Sequence, residues 1–515
     1  MTSLILCILT VCVVSLLFAL LSRKARRPPG PRRLPFFGNT LQLPRTCQWI
    51  TFSKWAKQYG NIVYLQAFRQ PIILLNSAKV ARELLEQRSG MYSGRPHLKL
   101  KVALCRSSGF DKVFVLYSSN EEWRQQRRIV SHDLAPRMIP RYHALQESEA
   151  RLLVRSIIDH PKEFERLIKL KIGTIIIRII YGHNTTLAND PFFTFGKTSM
   201  DIFSSAAEPG VWLVDAMPIL KFAPAWLPGT DFLVKARRWK EIVHKAAWDP
   251  YLWSKRSFEC GTALLPNTCA TVLEEMQGNM TPHLEEQIVW AACTMMAGGM
   301  DTSIISTLNF FLEMMLNPCI QAKAQQEIDS VIGAERLPTI SDKESLPYVR
   351  SIVTEVFRLN PAVPLGIAHA LTADDKYEGM DLPQGSIVIP NVWHMLHDPD
   401  VFPNPMQFDP DRYGNLDTEM QKVTDLVFGF GRRLCPGKTF GENNVFAVAA
   451  TVLATCKVVL PVDEHGAQMR PDVQYSSGSI SSPSSFQCDI KPRSVQAYQL
   501  LLSSVSNISE TLSPE

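Results

Sequence analysis

At 515 residues, with 46% hydrophobic and 20% charged residues and 26 glycines, the chain has the composition of a folded protein with a large core. Collagen-like, disordered and disulfide-dense secreted classes are excluded. The 54 basic and 49 acidic residues leave a net charge of +5, too little for a nucleic-acid binder unless it is clustered on one face. The 11 cysteines form no CxxC pair, so neither a zinc ribbon nor a redox dithiol is indicated, and a reducing compartment is expected.

The first element is the uncharged run Leu4–Leu21, just long enough to cross a bilayer as a helix. A cleaved signal peptide is the competing reading, but such a peptide carries positive charge before its apolar run. Here Met1, Thr2 and Ser3 are uncharged, and Arg23, Lys24, Arg26 and Arg27 follow the run. Residues 1–22 are therefore expected to be a membrane anchor with everything after them on the cytosolic side. In that orientation the sequons at Asn184, Asn279 and Asn507 stay unmodified. Residues 23–40, with Pro28-Pro29-Gly30-Pro31 and Pro35, are expected to form a stiff, extended connection.

Residues 41–515 read as one unit without repeat or linker, mainly α with a minor β-sheet region. Helices are expected over Trp123–Val130, Ala144–Ile158, Glu285–Leu316, Pro318–Ile332, Leu346–Leu359 and Gly441–Cys456. Short strands are expected at Ile62–Leu65, Ile72–Leu75 and Ser386–Ile389, and the Ser-rich last twenty or so residues as a frayed tail. The long apolar helix contains Gly298-Gly299-Met300-Asp301-Thr302-Ser303. Asp301 is costly in lipid, so this helix is expected to be buried in protein rather than to form a second span. Its two glycines admit either a ligand or a closely packed helix.

The decisive stretch is Phe428-Gly429-Phe430-Gly431-Arg432-Arg433-Leu434-Cys435-Pro436-Gly437, a complete FxxGxRxCxG pattern. A lone cysteine is ordinarily a small buried hydrophobe. Here Gly429, Gly431 and Gly437 allow a tight loop whose N–H groups turn toward the sulfur. A helix beginning near Lys438, with Arg433 nearby, is expected to favour thiolate over thiol. The segment resembles the haem-binding loop of the cytochrome P450 family, and the resemblance extends over nearly the whole chain, implying the cytochrome P450 fold preceded by one N-terminal transmembrane helix.

That resemblance implies heme b (iron protoporphyrin IX) with Cys435 as its axial thiolate ligand, Phe428 shielding the sulfur and Gly437 closing the loop. Arg433, His369 and the Trp123–Arg127 pair of a WxxxR pattern become partners of the haem carboxylates. Glu355 and Arg358, three apart on one helix, form with Arg412 of Phe408-Asp409-Pro410-Asp411-Arg412-Tyr413 a supporting buried triad. Taken alone, each of these pairs reads first as a surface feature. Gly298–Ser303 resembles the family's oxygen-activation motif, with Asp301 and Thr302 relaying protons from water.

The function so implied is a membrane-bound monooxygenase of the endoplasmic reticulum that oxidises an apolar small molecule. No nucleotide-binding loop of the GxGxxG type follows a strand, so electrons are expected from an NADPH–cytochrome P450 reductase, met by Arg127, Arg128, Arg432 and Lys438. No nucleic-acid partner is expected. The substrate pocket is expected from Leu98–Tyr117, Phe203–Phe232, Trp290–Ala297, Val363–Ile367 and Ser476–Phe486, including Val211, Trp212, Leu213, Met217, Phe222, Trp226 and Leu227. The Pro28-Pro29-Gly30-Pro31 hinge, the cysteine loop and the closing Phe486-Gln487-Cys488 segment look most like fungal members that tailor secondary metabolites such as terpenoids, polyketides or indoles. Two other readings stay open: a haem-thiolate isomerase or dehydratase that needs no O2, and a non-catalytic haem sensor.

Overall fold

The computed structural model describes residues 26–96, 110–185, 190–207, 224, 230, 232–276 and 278–512. The expected anchor lies outside them, as do 98–109, 211–222, Trp226 and Leu227 of the expected pocket. Helices dominate. After α1 (Gln48–Tyr59) and the hairpin β1 (Ile62–Ala67) and β2 (Gln70–Leu75) come α2 (Glu121–Asp133), α3 (His143–Asp159), α4 (Phe164–Tyr181) and α5 (Pro191–Ala207). Next are α6 (Phe232–Glu259), α7 (Thr268–Glu275), α8 (Pro282–Leu316), α9 (Pro318–Val331) and α10 (Pro347–Leu359). Then follow β3 (His369–Ala370), β4 (Asp375–Tyr377), β5 (Met380–Leu382), β6 (Ile387–Pro390), α11 (Asp417–Val427), α12 (Lys438–Thr455), β7 (Cys456–Val459), β8 (Asp489–Pro492) and α13 (Val495–Leu512).

The helix starts are written in the sequence. Asn120 accepts from Trp123 N–H at 3.0 Å and opens α2, and Asn267 accepts from Ala270 N–H at 2.7 Å and opens α7. Thr281 caps α8 through Leu284 N–H at 3.2 Å, with Pro282 at the first helical position, where a missing N–H costs nothing. α8 is long and apolar enough to cross a membrane, yet 67% of its apolar window is buried inside the protein. It packs against α2, α4, α5, α6, α10 and α12, so it is the central helix of the core.

The sheet is small and to one side, in the order β1-β2-β6-β3. β1 and β2 pair antiparallel from Ile62↔Leu75, whereas β2 and β6 run parallel from Ile72↔Ile387. The expected strands and helices fall within these elements, with ends shifted by a few residues.

Two regions depart from expectation. The connection is extended over 26–33 but then turns back tightly, Leu34 and Gly38 bonding each other's carbonyls at 2.8 and 2.9 Å, and it is bonded to the body. Pro29 carbonyl accepts from Tyr64 N–H at 2.9 Å, and Arg26 carbonyl accepts from Asp381 N–H at 2.7 Å. Asn39, fully buried, accepts from Gln66 N–H at 2.9 Å and donates to Pro31 carbonyl at 3.1 Å. A Cβ on Gly30 would lie 2.1 Å from Tyr64 carbonyl oxygen, so only glycine fits there. The Ser-rich C-terminus is not frayed over 495–512 but helical. Ala497 and Leu501, four apart, are buried, and Ser503 and Ser504 turn their hydroxyls back onto Leu500 carbonyl at 2.9 and 2.8 Å.

Candidate active site

The loop before α12 is built as its glycines require. Gly429 and Gly431 have φ of +84° and +52°, and a Cβ on Gly431 would sit 2.4 Å from Leu85 carbonyl oxygen. Cys435 N–H donates to Phe428 carbonyl at 2.8 Å, closing the loop on itself. The sulfur accepts from Gly437 N–H, and a Cβ on Gly437 would meet it in ordinary contact at 3.9 Å. Phe428 lies edge-on to Phe357 at 5.7 Å, with Lys438 Nζ 5.8 Å from its centroid. Cys435 carries substantial accessible surface, yet burial raises its thiol pKa. The two agree only if that surface faces an enclosed space. The expected preference for thiolate is not met by the protein alone. Burial outweighs the Gly437 N–H, Arg127 and Lys438, which lower the pKa.

Beside the sulfur lies a group of cations. Arg433 donates to Ser93 carbonyl from Nε and Nη2 (3.0 and 2.8 Å) and to Tyr117 carbonyl at 2.7 Å, and its guanidinium sits 4.5 Å over the Trp123 ring. Its Nη1 and the Trp123 Nε1 are buried without a partner. Arg95, which carries no motif in the sequence, is buried and donates to Val115, Ile367 and Ala368 carbonyls at 2.9, 2.7 and 2.8 Å. Arg127 donates to Leu434 carbonyl at 2.6 Å, so it turns into the cysteine loop rather than out to a partner face. His369 is buried, and because a carbonyl can only accept, the 2.8 Å contact of its Nδ1 with Tyr92 carbonyl puts the proton on Nδ1. Burial, helped by Arg127, lowers Arg433 to about 10, and burial with Arg95 and Arg433 lowers His369 to about 3. Among the described residues no carboxylate pairs with Arg95, Arg127, Arg433 or His369.

The three acid–base partners below the loop do meet. Glu355 accepts from Arg358 Nε and Nη2 at 2.7 and 2.8 Å and from Arg412 Nε at 3.1 Å. It also accepts from Tyr413 hydroxyl at 2.5 Å and Asp409 N–H at 3.0 Å, two donors that the sequence reading missed. Both arginines spend their remaining N–H groups on carbonyls, Arg358 on Leu396, Pro405 and Gln407, and Arg412 on Pro403 and Gln407.

On α8, Gly298 is exposed in the middle of a buried helix, and a Cβ built on it meets nothing within 4 Å. This glycine borders open space, whereas a Cβ on Gly299 would lie 3.1 Å from Ile176, the close helix packing that was one of the two readings of the pair. Thr302 Oγ1 donates to Gly298 carbonyl at 2.8 Å, and the half-buried Asp301 is raised to about 6, first by burial and then by Asp201. Of the expected pocket wall, Phe110 and Phe203 meet edge-on at 5.4 Å, whereas Phe486 packs in the core 5.3 Å from Phe164.

A helical body that encloses a sulfur, and collects beside it three arginines, an imidazole and an indole N–H with no carboxylate to pair them, defines a protein that holds an acidic prosthetic group over a cysteine. A family model described as Cytochrome P450 matches residues 28–484. Among the relatives is cytochrome P450 monooxygenase 105 of Postia placenta, 51% identical over 96% of this chain and 94% of its own length. Cytochrome P450 monooxygenase COX1 of Coprinopsis cinerea is 36% identical over 92% and 93%, and claR of Ampulloclitocybe clavipes 35% over 96% and 91%. This chain belongs to the cytochrome P450 family, and it is an oxidoreductase of the monooxygenase class.

The family implies haem held by a cysteine thiolate, and the residues fit that group. Two carboxylates are what the idle Arg433 Nη1 and Trp123 Nε1 lack. An iron cation at the sulfur would reverse the cost that burial imposes on a thiolate.

Proposed function

We propose that this chain is a membrane-anchored haem-thiolate monooxygenase of the endoplasmic reticulum, with Cys435 as the iron ligand. On this reading it takes electrons from an NADPH–cytochrome P450 reductase and oxidises an apolar secondary metabolite. The observation that carries the reading is the unpaired cation group beside an enclosed cysteine. When bound, the haem supplies O2 binding and reductive activation, and the net reaction consumes O2, two electrons and two protons to give hydroxylated substrate and water.

The residues of this chain do the remaining work. Arg433, Arg127, Trp123 and His369 would hold the two carboxylates of the group and so anchor it beside the cysteine loop. Anionic partners there would raise the pKa of His369 and let its Nε2 carry a second proton. Asp301, at about 6, holds or gives up a proton near neutral pH, and the Thr302 hydroxyl stands one residue on, oriented by Gly298 carbonyl. Glu355, Arg358 and Arg412 hold the segment 396–413 under the cysteine loop without touching the reacting atoms.

On this reading a nonpolar substrate is expected, because the described residues of the expected pocket stretches include Phe110 and Phe203, which meet edge-on, and the buried Trp290. The exposed Arg128 and Arg432 remain as cations for an acidic reductase face, without Arg127, which turns into the loop, and without Lys438, which is half-buried and held by Thr424 and Asp425 at 3.0 and 3.8 Å.

The test is the reduced carbon-monoxide spectrum of the purified chain and of Cys435→Ala. A thiolate-type Soret band in the first, absent from the second, is the expected outcome; an imidazole-type band in freshly prepared native protein would overturn the assignment. Incubation with reductase, NADPH and 18O2 then separates the classes, since a monooxygenase leaves one labelled oxygen in its product and an isomerase leaves none.

A further inference from the structure

The helices α10, α11 and α12 leave a groove of about 230 Å³ between them, closed at one end by Lys343 of the turn Ile340–Ser345. Met420 and Thr424 of α11, and Lys438, Glu442 and Phe446 of α12, recur every fourth residue, so each helix turns one face to it. The floor is apolar, made by the buried Val353, Phe357, Met420 and Phe446. The rim is charged. None of the lining residues belongs to the stretches expected to form the substrate pocket.

On the α10 and α11 side the rim charges are spent on each other, Arg350 donating to Asp417 at 2.6 Å and to Glu344 at 2.7 Å. On the α12 side they are not. Lys343 Nζ donates to Asn443 Oδ1 at 3.1 Å and Lys438 Nζ to Thr424 Oγ1 at 3.0 Å, one bond each of the three that an ammonium can make. The carboxylates paired with them, Glu442 and Asp425, stand off at 3.7 and 3.8 Å. Burial holds the Lys343 pKa below its ordinary value in spite of Glu442, so this ammonium is under-compensated. Lys343, Arg350 and Lys438 against Asp417 and Glu442 leave the lining one positive charge in surplus. An apolar floor under that surplus complements a small molecule with an apolar body and a single carboxylate. The space equals that of about eight waters, close to the volume of phenylacetate.

The groove also adjoins the cysteine loop. Phe357 of its floor meets Phe428 edge-on at 5.7 Å, and Lys438 of its rim lies 5.8 Å from the centroid of the same ring, whose carbonyl accepts from Cys435 N–H at 2.8 Å. We propose that this groove is an effector site for a small amphipathic monocarboxylate, bound apart from the substrate. Its carboxylate takes the free N–H groups of Lys343 and Lys438, and its body covers Phe357 and Met420. Occupancy is felt at Cys435 because an anion on Lys438 offsets the positive charge that this side chain presents to Phe428 and the sulfur. The coupling rests on the reading of Cys435 as the iron ligand; the binding does not.

The experiment uses the full-length holoenzyme, phenylacetate as the probe and saturating 4-phenylimidazole to fill the substrate side of the iron. Calorimetric titration is expected to show one site, weakened roughly tenfold in Lys343→Met by the loss of a bond to a charged group. Met420→Trp, which fills the groove without touching its charges, is expected to abolish binding, and uncharged phenylacetamide to bind roughly tenfold more weakly. Absence of binding, or binding that neither variant moves, overturns the site. Without the imidazole, bound probe is expected to shift the ferric–ferrous midpoint downward in the parent and not in Met420→Trp, since an added anion near the sulfur favours the oxidised state. A fixed midpoint alongside intact binding overturns the coupling to Cys435. An imidazole-type carbon-monoxide band overturns the reading of Cys435 by itself, because the heat of binding does not depend on which residue holds the iron.

Discussion

Trp123 and Arg433 show how much one residue contributes here. The indole ring lies under the guanidinium, while its N–H, buried and idle, points to no protein acceptor. Trp123→Phe keeps the ring and removes the N–H. Loss of one hydrogen bond to a charged group, about 1.5 kcal/mol, corresponds to roughly tenfold faster haem loss. Transfer of haem to an excess of a tight-binding acceptor protein measures this, and an unchanged rate would remove Trp123 from the cradle. Arg433→Lys should be worse, because an ammonium cannot serve two carbonyls and a carboxylate in one plane. At this scale the sequence was legible where chemistry is local: Cys435, Phe428 and the loop glycines sit within ten residues. Arg95 was not, because nothing near it in the chain marks it. Its role comes from the approach of Arg433 and His369 through the fold.

At the scale of elements, α8 and α10 share a buried acidic pair. Glu313 of α8 is held by Asn317 Nδ2 at 3.2 Å and Asn360 Nδ2 at 3.5 Å, and burial, with Glu355 nearby, raises it to about 7 from 4.5. The unfolded chain gives up this proton near 4.5, while the folded protein keeps it to about 7. Stability from this group therefore falls as pH rises between those values, by up to about 3 kcal/mol, and changes no further above them. Glu313→Gln should remove that slope, so that thermal midpoints of variant and parent differ more at pH 8 than at pH 4. An equal difference at both would show that Glu313 ionises normally. Glu355→Gln behaves otherwise, leaving two buried guanidiniums uncompensated. A loss of about 3–5 kcal/mol and of haem retention is expected, read by unfolding midpoint and Soret absorbance. The pair Glu355 and Arg358 is visible in the sequence as a three-residue spacing, but Tyr413 and Asp409 N–H are not, since their donation depends on how 405–413 folds under α10.

Across the whole molecule, the mainly helical architecture and its strands were legible because long apolar periods and proline or Asn caps mark helices even when tertiary packing decides their partners. Two segments were misjudged for one reason, that composition says nothing of what lies alongside. Serines at the C-terminus are satisfied by their own helix, and prolines near the start present carbonyls to β1. Gly30→Leu should lift the proline segment off the sheet, raising trypsin cleavage after Arg32 and Arg33 on the order of tenfold while the carbon-monoxide spectrum is kept. Cleavage at the parental rate would mean that the segment holds without its contact to Tyr64. Its attachment also decides where tension goes. A load applied at residue 26 is divided between Asp381 and Tyr64 before any helix feels it, so a molecule tugged by its leading end peels along this seam first and leaves the interior undisturbed.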